Sequence, residues 1–318
     1  MSVIARLPGT SAVVMRRIAI AALVAEVGVA IGGATVRVTG SGLGCPTWPE
    51  CYPGSLVPTP HSDVAALNQW IEFGNRLLGV AVVIIAGICL LAALNLRPRR
   101  RRVTLLALAQ PLGVVAQAVI GGMTVLTGLV WWSVSLHFLA SIILVWLSVL
   151  LVDATSDGDG PRHLLVGRPV RGLIAASSAV LAALLVAGTL VTAAGPHAGD
   201  ARTPRLDIGV PQLAQLHADL LFGYLGLLIG LGFMLRAVAA PQRVWRRYLW
   251  LVALVLLQGA LGGTQYALGV PELLAALHVL GAALVTLGAA AVWSATTARP
   301  PLVTAAATAP ELAEAART

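Results

Sequence analysis

The chain has 318 residues, of which 58% are hydrophobic and only 11% charged, with a mean hydropathy of +0.88. Those values lie outside the range of soluble domains and describe a polytopic membrane protein. A net charge of +8 would suit a nucleic-acid binder, but all 21 basic residues are arginines, mostly in short clusters between apolar runs, as in membrane-protein loops and not as on a phosphate-binding face.

Met1 to Arg17 is a short basic lead, and Ile18 to about Val38 is the first span. The apolar run is too long for a secretory signal and no small-residue cleavage site follows at the right distance, so a retained helix is expected. Glu26 in its middle has two readings, a bond to a neighbouring helix or a place on a proton path. Thr39 to Asn68 is a Gly- and Pro-rich connection that holds Cys45 and Cys51, with Arg37 at its edge. Trp70-Ile71-Glu72-Phe73-Gly74-Asn75-Arg76 then heads an apolar run from Leu77 to Leu94. On a helix Glu72, Asn75 and Arg76 share one face. A carboxylate there either points at a cavity, partner or cofactor, or forms an interfacial ion pair with Arg76.

The next connection, Arg97-Pro98-Arg99-Arg100-Arg101-Arg102, is densely basic where the cysteine loop is not. The asymmetry places the cysteine loop outside and the arginine loop in the cytoplasm. Six further spans are expected at about Thr104–Met123, Ser133–Val152, Gly172–Ala193, Leu213–Leu235, Leu249–Ala267 and Glu272–Ser294. Each is near the roughly 20 residues that a bilayer requires. The fold class is thus all-α, with eight transmembrane helices. Seventeen arginines fall on the inner side and three, Arg37, Arg202 and Arg205, on the outer, so both termini are expected in the cytoplasm of a cell-membrane protein. The Ala- and Pro-rich tail, 297–318, has no amphipathic period and is expected to be disordered.

A shift of 141 residues superposes Gln117 on Gln258, Gly121-Gly122 on Gly262-Gly263, Gly128 on Gly269, Leu136-His137 on Leu277-His278 and Leu139 on Leu280. Seven identities in the window 117–139 exceed the roughly two expected by chance, so the chain contains a duplication. Four helices per unit make the copies parallel repeats, each a four-helix bundle. The expected domains are residues 1–170 and 171–296, followed by the tail. His217 lies one residue from the position onto which Asn75 maps.

Asn75, His137, His217 and His278 all fall at the outer ends of even-numbered spans. Any one of them reads as a polar side chain bonded to a neighbouring helix. Together they match a four-helix bundle that presents inward imidazoles at one depth to clamp a haem iron. Zinc would require further Cys, Asp or Glu ligands beside the histidines. His61, His163 and His197 lie in connections, with His61 and His197 on the outer side. The paired glycines permit close approach of the backbone to a flat macrocycle or to another helix. Arg37 and Arg76 are candidates to pair with haem propionates. Three cysteines are too few for a disulfide scaffold, and Cys89 reads as packing. Cys45 and Cys51 face an oxidising compartment, where a disulfide is the natural state, either as a staple or as a redox pair.

Gly32-Gly33, the segment Thr35-Val36-Arg37-Val38-Thr39-Gly40-Ser41-Gly42-Leu43-Gly44-Cys45-Pro46-Thr47-Trp48-Pro49, Ile71-Glu72, Arg76, His137, His217 and His278 closely resemble the haem A synthase family over residues 16–296. The resemblance implies an oxidoreductase that converts the C8 methyl of haem O to a formyl group by two successive hydroxylations, giving haem A for terminal oxidases. It implies a haem B cofactor between His217 and His278, haem O as substrate in the first bundle, Glu72 as the catalytic carboxylate and a Cys45–Cys51 disulfide. The family usually has His where this chain has Asn75. The substrate iron then has His137 alone, or a water held by Asn75, or His61 reaching in from the loop. The partners implied are membrane lipid, an electron acceptor and a haem O-forming farnesyltransferase as donor, with the chain alone or as a homo-oligomer. Two rival classes share the features: a di-haem electron carrier of the cytochrome b kind, and a transporter with parallel repeats whose histidines bind protons or substrate.

Overall fold

The computed structural model describes residues 9–61 and 64–300. Its elements are α1 (Ala12–Val38), α2 (Ala66–Leu94), α3 (Arg101–Leu126), α4 (Trp131–Ser156), β1 (His163–Leu164), α5 (Arg168–Ala194), α6 (Val210–Ala237), α7 (Gln242–Ala267), α8 (Glu272–Ala295) and β2 (Thr297–Ala298). All eight helices are long and apolar enough to cross a membrane, and the chain is a multi-pass membrane protein. The eight expected spans all appear, several of them longer than the apolar run alone. The α1 helix starts at Ala12, ahead of the expected Ile18, because Ser11 caps it by accepting a hydrogen bond from the Val14 amide at 3.3 Å. The α2 helix starts at Ala66, so Glu72, Asn75 and Arg76 lie well inside a helix and not at its head.

In the first bundle α1 packs on α2 and α4, and α3 on the same two neighbours; α5 to α8 repeat the arrangement, with α6 and α7 touching least. The bundles dock through α1 and α4 against α8, and α4 against α5. Residues 157–167 join them, so α5 begins three residues ahead of the boundary expected at 171. The duplication is visible in the turns as well: Gly128-Leu129 and Gly269-Val270 both adopt left-handed backbone, with φ of 69° and 61° in one turn and 74° and 61° in the other. β1 and β2 pair antiparallel, which orders Thr297 and Ala298 at the start of the tail expected to be disordered; residues 301–318 lie outside the described residues.

Every helix has one end on the side of the cysteine loop and the other on the side of the arginine-rich connections. Apart from a small cluster that packs Cys45, Cys51 and Tyr52 of the cysteine loop with Phe73 of α2, the buried apolar clusters occupy the arginine-side part of each bundle. In the first they run over Met15–Ala22 and Val103–Val114 on ascending helices and Val82–Ala93 and Leu144–Ala154 on descending ones. In the second they run over Val170–Leu184, Tyr224–Leu235, Val244–Val255 and Val285–Ala295. These clusters stop short of the level at which Asn75 and the three histidines stand, so apolar packing anchors the helices on the arginine side of that level.

Candidate haem site

Each of the four polar residues at this level lies against a glycine of the preceding helix. A Cβ on Gly121 would stand 3.2 Å from Cε1 of His137; on Gly188, 3.0 Å from Cε1 of His217; on Gly262, 2.9 Å from Cε1 of His278. A Cβ on Gly32 would stand 2.5 Å from Oδ1 of Asn75. Each glycine is the twenty-first residue of its helix. Asn75 is therefore the structural counterpart of His217. A larger residue at any of the four glycines would drive the ring or amide toward the bundle axis. The register is fixed from the other side too: the side-chain amides of Gln117 and Gln258 donate to the backbone carbonyls of His137 and His278 at 3.2 and 2.8 Å.

In the second bundle the rings of His217 and His278 have centroids 6.3 Å apart and planes 62° apart. Two imidazoles bound to one metal ion through nitrogens at about 2.0–2.1 Å, with each centroid about 1.1 Å behind its nitrogen, would have centroids roughly 6.2 Å apart. That separation suits two imidazoles that share one ion. Nδ1 of His217 donates to the Leu184 carbonyl at 3.0 Å, which fixes the tautomer and leaves Nε2 for a ligand. Nδ1 of His278, like that of His137, is buried without a hydrogen-bond partner. No cluster of three or more His, Cys, Asp or Glu exists among the described residues, so zinc lacks a ligand set while a haem iron needs only the two.

The first bundle differs in what covers it. Cys45 and Cys51 form a disulfide, and the loop they close is clasped by α2. Glu72 accepts the Cys45 amide on Oε2 at 2.7 Å and pairs with Arg76 through Oε1 at 2.7 Å. Arg76 also donates to the carbonyls of Cys45, Thr47 and Glu50 at 2.7, 2.9 and 3.1 Å. Of the two readings of this trio, the ion pair is seen: Glu72 pairs with Arg76, and together they hold the cysteine loop over the bundle. Gly44 is needed there, since a Cβ would stand 2.4 Å from the Asn68 carbonyl oxygen. Trp48 of the loop lies on Gly122, where a Cβ would come 2.6 Å from its indole, whereas the matching Gly263 faces open space.

Arg37 donates to the His197 carbonyl at 2.9 Å, and His197 donates through Nε2 to the Val270 carbonyl at 2.7 Å. The Gly42 amide reaches the Gly199 carbonyl at 2.8 Å, so the loops of the two bundles are joined into one roof. His61 is exposed and stacked on Tyr52 with centroids 3.8 Å apart, and His163 is exposed on β1. The sequence reading named Gly32 and Trp48 only as motif residues, without their packing role, and missed Gly188 altogether. The Gly32–Asn75 and Gly188–His217 pairs are too far apart in the chain to show a spacing, and Trp48 had no partner to read until Gly122 was placed beside it.

A family model described as cytochrome oxidase assembly protein matches residues 16–204. Among curated proteins, the haem A synthase of Lysinibacillus sphaericus is 34% identical over 162 residues, 48% of this chain and 50% of that protein. That of Halalkalibacterium halodurans is 31% identical over 166 residues, 50% of this chain and 53% of the relative, and that of Bacillus pumilus 29% over 149 residues, 45% and 47%. The chain thus spans about half the length of the curated relatives it matches. With more than half of its own length under the family model, and with the motif residues gathered at the loop side of a duplicated bundle, the chain belongs to the COX15-CtaA family of cytochrome oxidase assembly proteins.

Proposed function

We propose that the protein is a haem A synthase, which oxidises the C8 methyl of haem O to a formyl group by two successive hydroxylations. The observation that carries this reading is the shared level of the four glycine-backed positions, three with histidine and one with asparagine. One bundle offers two neighbouring imidazoles and the other a single one. His217 and His278 would hold a resident haem B, and His137 would hold the substrate haem O in the first bundle. When bound, the haem iron supplies one-electron redox chemistry that no side chain here can supply.

The chain's own groups then have defined tasks. Asn75 offers an amide, a weaker ligand for iron, where a second imidazole would otherwise stand. Glu72 is immobilised by the Cys45 amide and Arg76, so its carboxylate meets a developing positive charge or a departing proton without having to reorient. Trp48 and the disulfide loop wall the first bundle off from water, which strengthens that electrostatic contribution. Arg37 and Arg76 bring positive charge to the loop side, where haem propionates would sit. The cysteine loop lies outside and both termini lie in the cytoplasm in this reading, following the arginine distribution. The substrate is apolar enough to arrive through the lipid from the farnesyltransferase that forms it.

Methyl to formyl is a four-electron oxidation, so an electron acceptor and a small oxygen donor complete the reaction. Haem extracted from cells that express Glu72→Gln tests the assignment. The wild-type chain should yield haem A and the variant should accumulate haem O; equal haem A from both would remove Glu72 from the chemistry.

A further inference from the structure

Glu26 is 4% exposed, and among the described residues no hydrogen bond or ion pair reaches its carboxyl. It lies on the face of α1 that carries Met15, Ala19, Ala22 and Val29 into the interior of the first bundle, at steps of three and four residues. Gly33, two turns further along the same face toward the cysteine loop, has nothing within 4 Å of where a Cβ would stand. The helices packed on α1 bring no charge to this depth. Glu72 and Arg76 of α2 are at the loop end, Asp153 of α4 is paired with Arg247 at the opposite end, and Glu272 of α8 is at the loop end of its helix.

Six residues separate Glu26 from Gly32, about 9 Å along the helix on the arginine side of the Asn75 and His137 level. A porphyrin whose anionic propionates lie at the loop side turns its opposite edge to that depth. In haem O that edge carries the one polar group that haem B lacks, the hydroxyl of the hydroxyalkyl farnesyl chain. The second bundle has Ala182 six residues before Gly188. At this position of the repeat the first bundle, assigned to the hydroxyl-bearing haem, has a carboxyl and the second has a methyl group.

We infer that Glu26 is the specificity-determining residue for the substrate, accepting a hydrogen bond from the hydroxyl of its farnesyl-bearing side chain. This rests on the haem O reading above. A haem without the hydroxyl leaves the buried carboxyl unpaired, which penalises haem B in the first bundle in the way that a polar pocket rejects an analogue lacking its hydroxyl.

The test is competition binding to the purified full-length chain, with haem O and haem B offered together and the bound haems extracted and separated. The wild type should hold haem B in the second bundle and favour haem O for the remaining site. Glu26→Leu should reduce that preference by about tenfold or more, and Glu26→Gln, which still hydrogen-bonds a hydroxyl, should keep most of it. The haem B of the second bundle reports that each variant is folded. A second measurement needs no variant: a haem bearing a hydroxyethyl group without the farnesyl chain should outcompete haem B for the first site. Undiminished haem O preference in Glu26→Leu, or no advantage of the hydroxyethyl haem, overturns the role of Glu26 and leaves the proposed function standing. A wild type that takes up no haem O overturns the proposed function itself.

Discussion

A methyl group on Gly262 would stand 2.9 Å from Cε1 of His278, closer than two non-bonded carbons tolerate, while one on the neighbouring Gly263 would meet nothing within 4 Å. Gly262→Ala is therefore expected to displace the His278 ring and spoil its spacing to His217, and Gly263→Ala is expected to leave both rings in place. Haem bound per chain after purification checks this. The first variant should lose most of the haem of the second bundle and the second variant little, and equal retention would show that the glycine does not set the ring. Position 75 permits the opposite experiment, since Asn75 rests on Gly32 as His217 rests on Gly188. Asn75→His should give the first bundle a second imidazole and turn its haem to a low-spin, six-coordinate spectrum; an unchanged spectrum would mean that position 75 does not face the iron. The histidines were legible in the sequence because a polar residue in a long apolar run is expensive and stands out. The glycines opposite them were not, because a glycine in a membrane helix serves many kinds of close approach and only the folded bundle shows which ring each one receives.

The cysteine loop is held to α2 less by the disulfide than by one guanidinium. Arg76 donates to four carbonyls of the loop and to Glu72, which in turn accepts the Cys45 amide. Charge-assisted hydrogen bonds of this kind contribute about 1.5–3 kcal/mol each when well shielded and less when, as here, the arginine retains some contact with solvent. Arg76→Ala should leave the disulfide intact and yet loosen residues 44–51, raising amide hydrogen exchange at Cys45 by at least tenfold while α3 and α4 exchange as before. Unchanged exchange would assign the loop's order to the disulfide and to Trp48 on Gly122. The sequence placed Glu72 and Arg76 on one helix face but offered two uses for them, cavity or ion pair. It had no means of choosing, because the loop carbonyls that receive Arg76 are backbone groups without a sequence signature. Helix number and order were legible from hydropathy alone. The early start of α1 was not, since it follows from a capping serine and not from the apolar run.

For the whole molecule, the duplication read from seven identities fixed that two bundles exist but not how they dock. The docking uses residues outside the repeat's identities. Asp153 of α4 binds Arg247 of α7 with one oxygen on each guanidinium nitrogen, the second contact at 2.7 Å, and Arg243 lies 4.0 Å from the same carboxylate. The carboxylate is almost wholly buried, and Arg247 donates in addition to the Ala291 carbonyl at 2.8 Å, so α4, α7 and α8 are tied together at the end remote from the cysteine loop. At the loop end the Arg37–His197–Val270 chain performs the same service. Both bundles are thereby pinned at top and bottom, with small residues of α8 such as Ala283 and Gly288 buried along it. Removing one partner of a buried pair leaves the other charge uncompensated, an effect of about 3–5 kcal/mol when fully buried and somewhat less here because Arg247 is partly exposed. The exposed Arg202–Asp200 pair, with Arg202 largely in solvent, should contribute little. Asp153→Ala is therefore expected to lower the thermal unfolding midpoint of the detergent-solubilised protein by several degrees, and Arg202→Ala to leave it within about a degree. Equal midpoints for the two variants would show that the bundles are held together by the packing of α1 and α4 on α8, with the ion pair contributing nothing measurable.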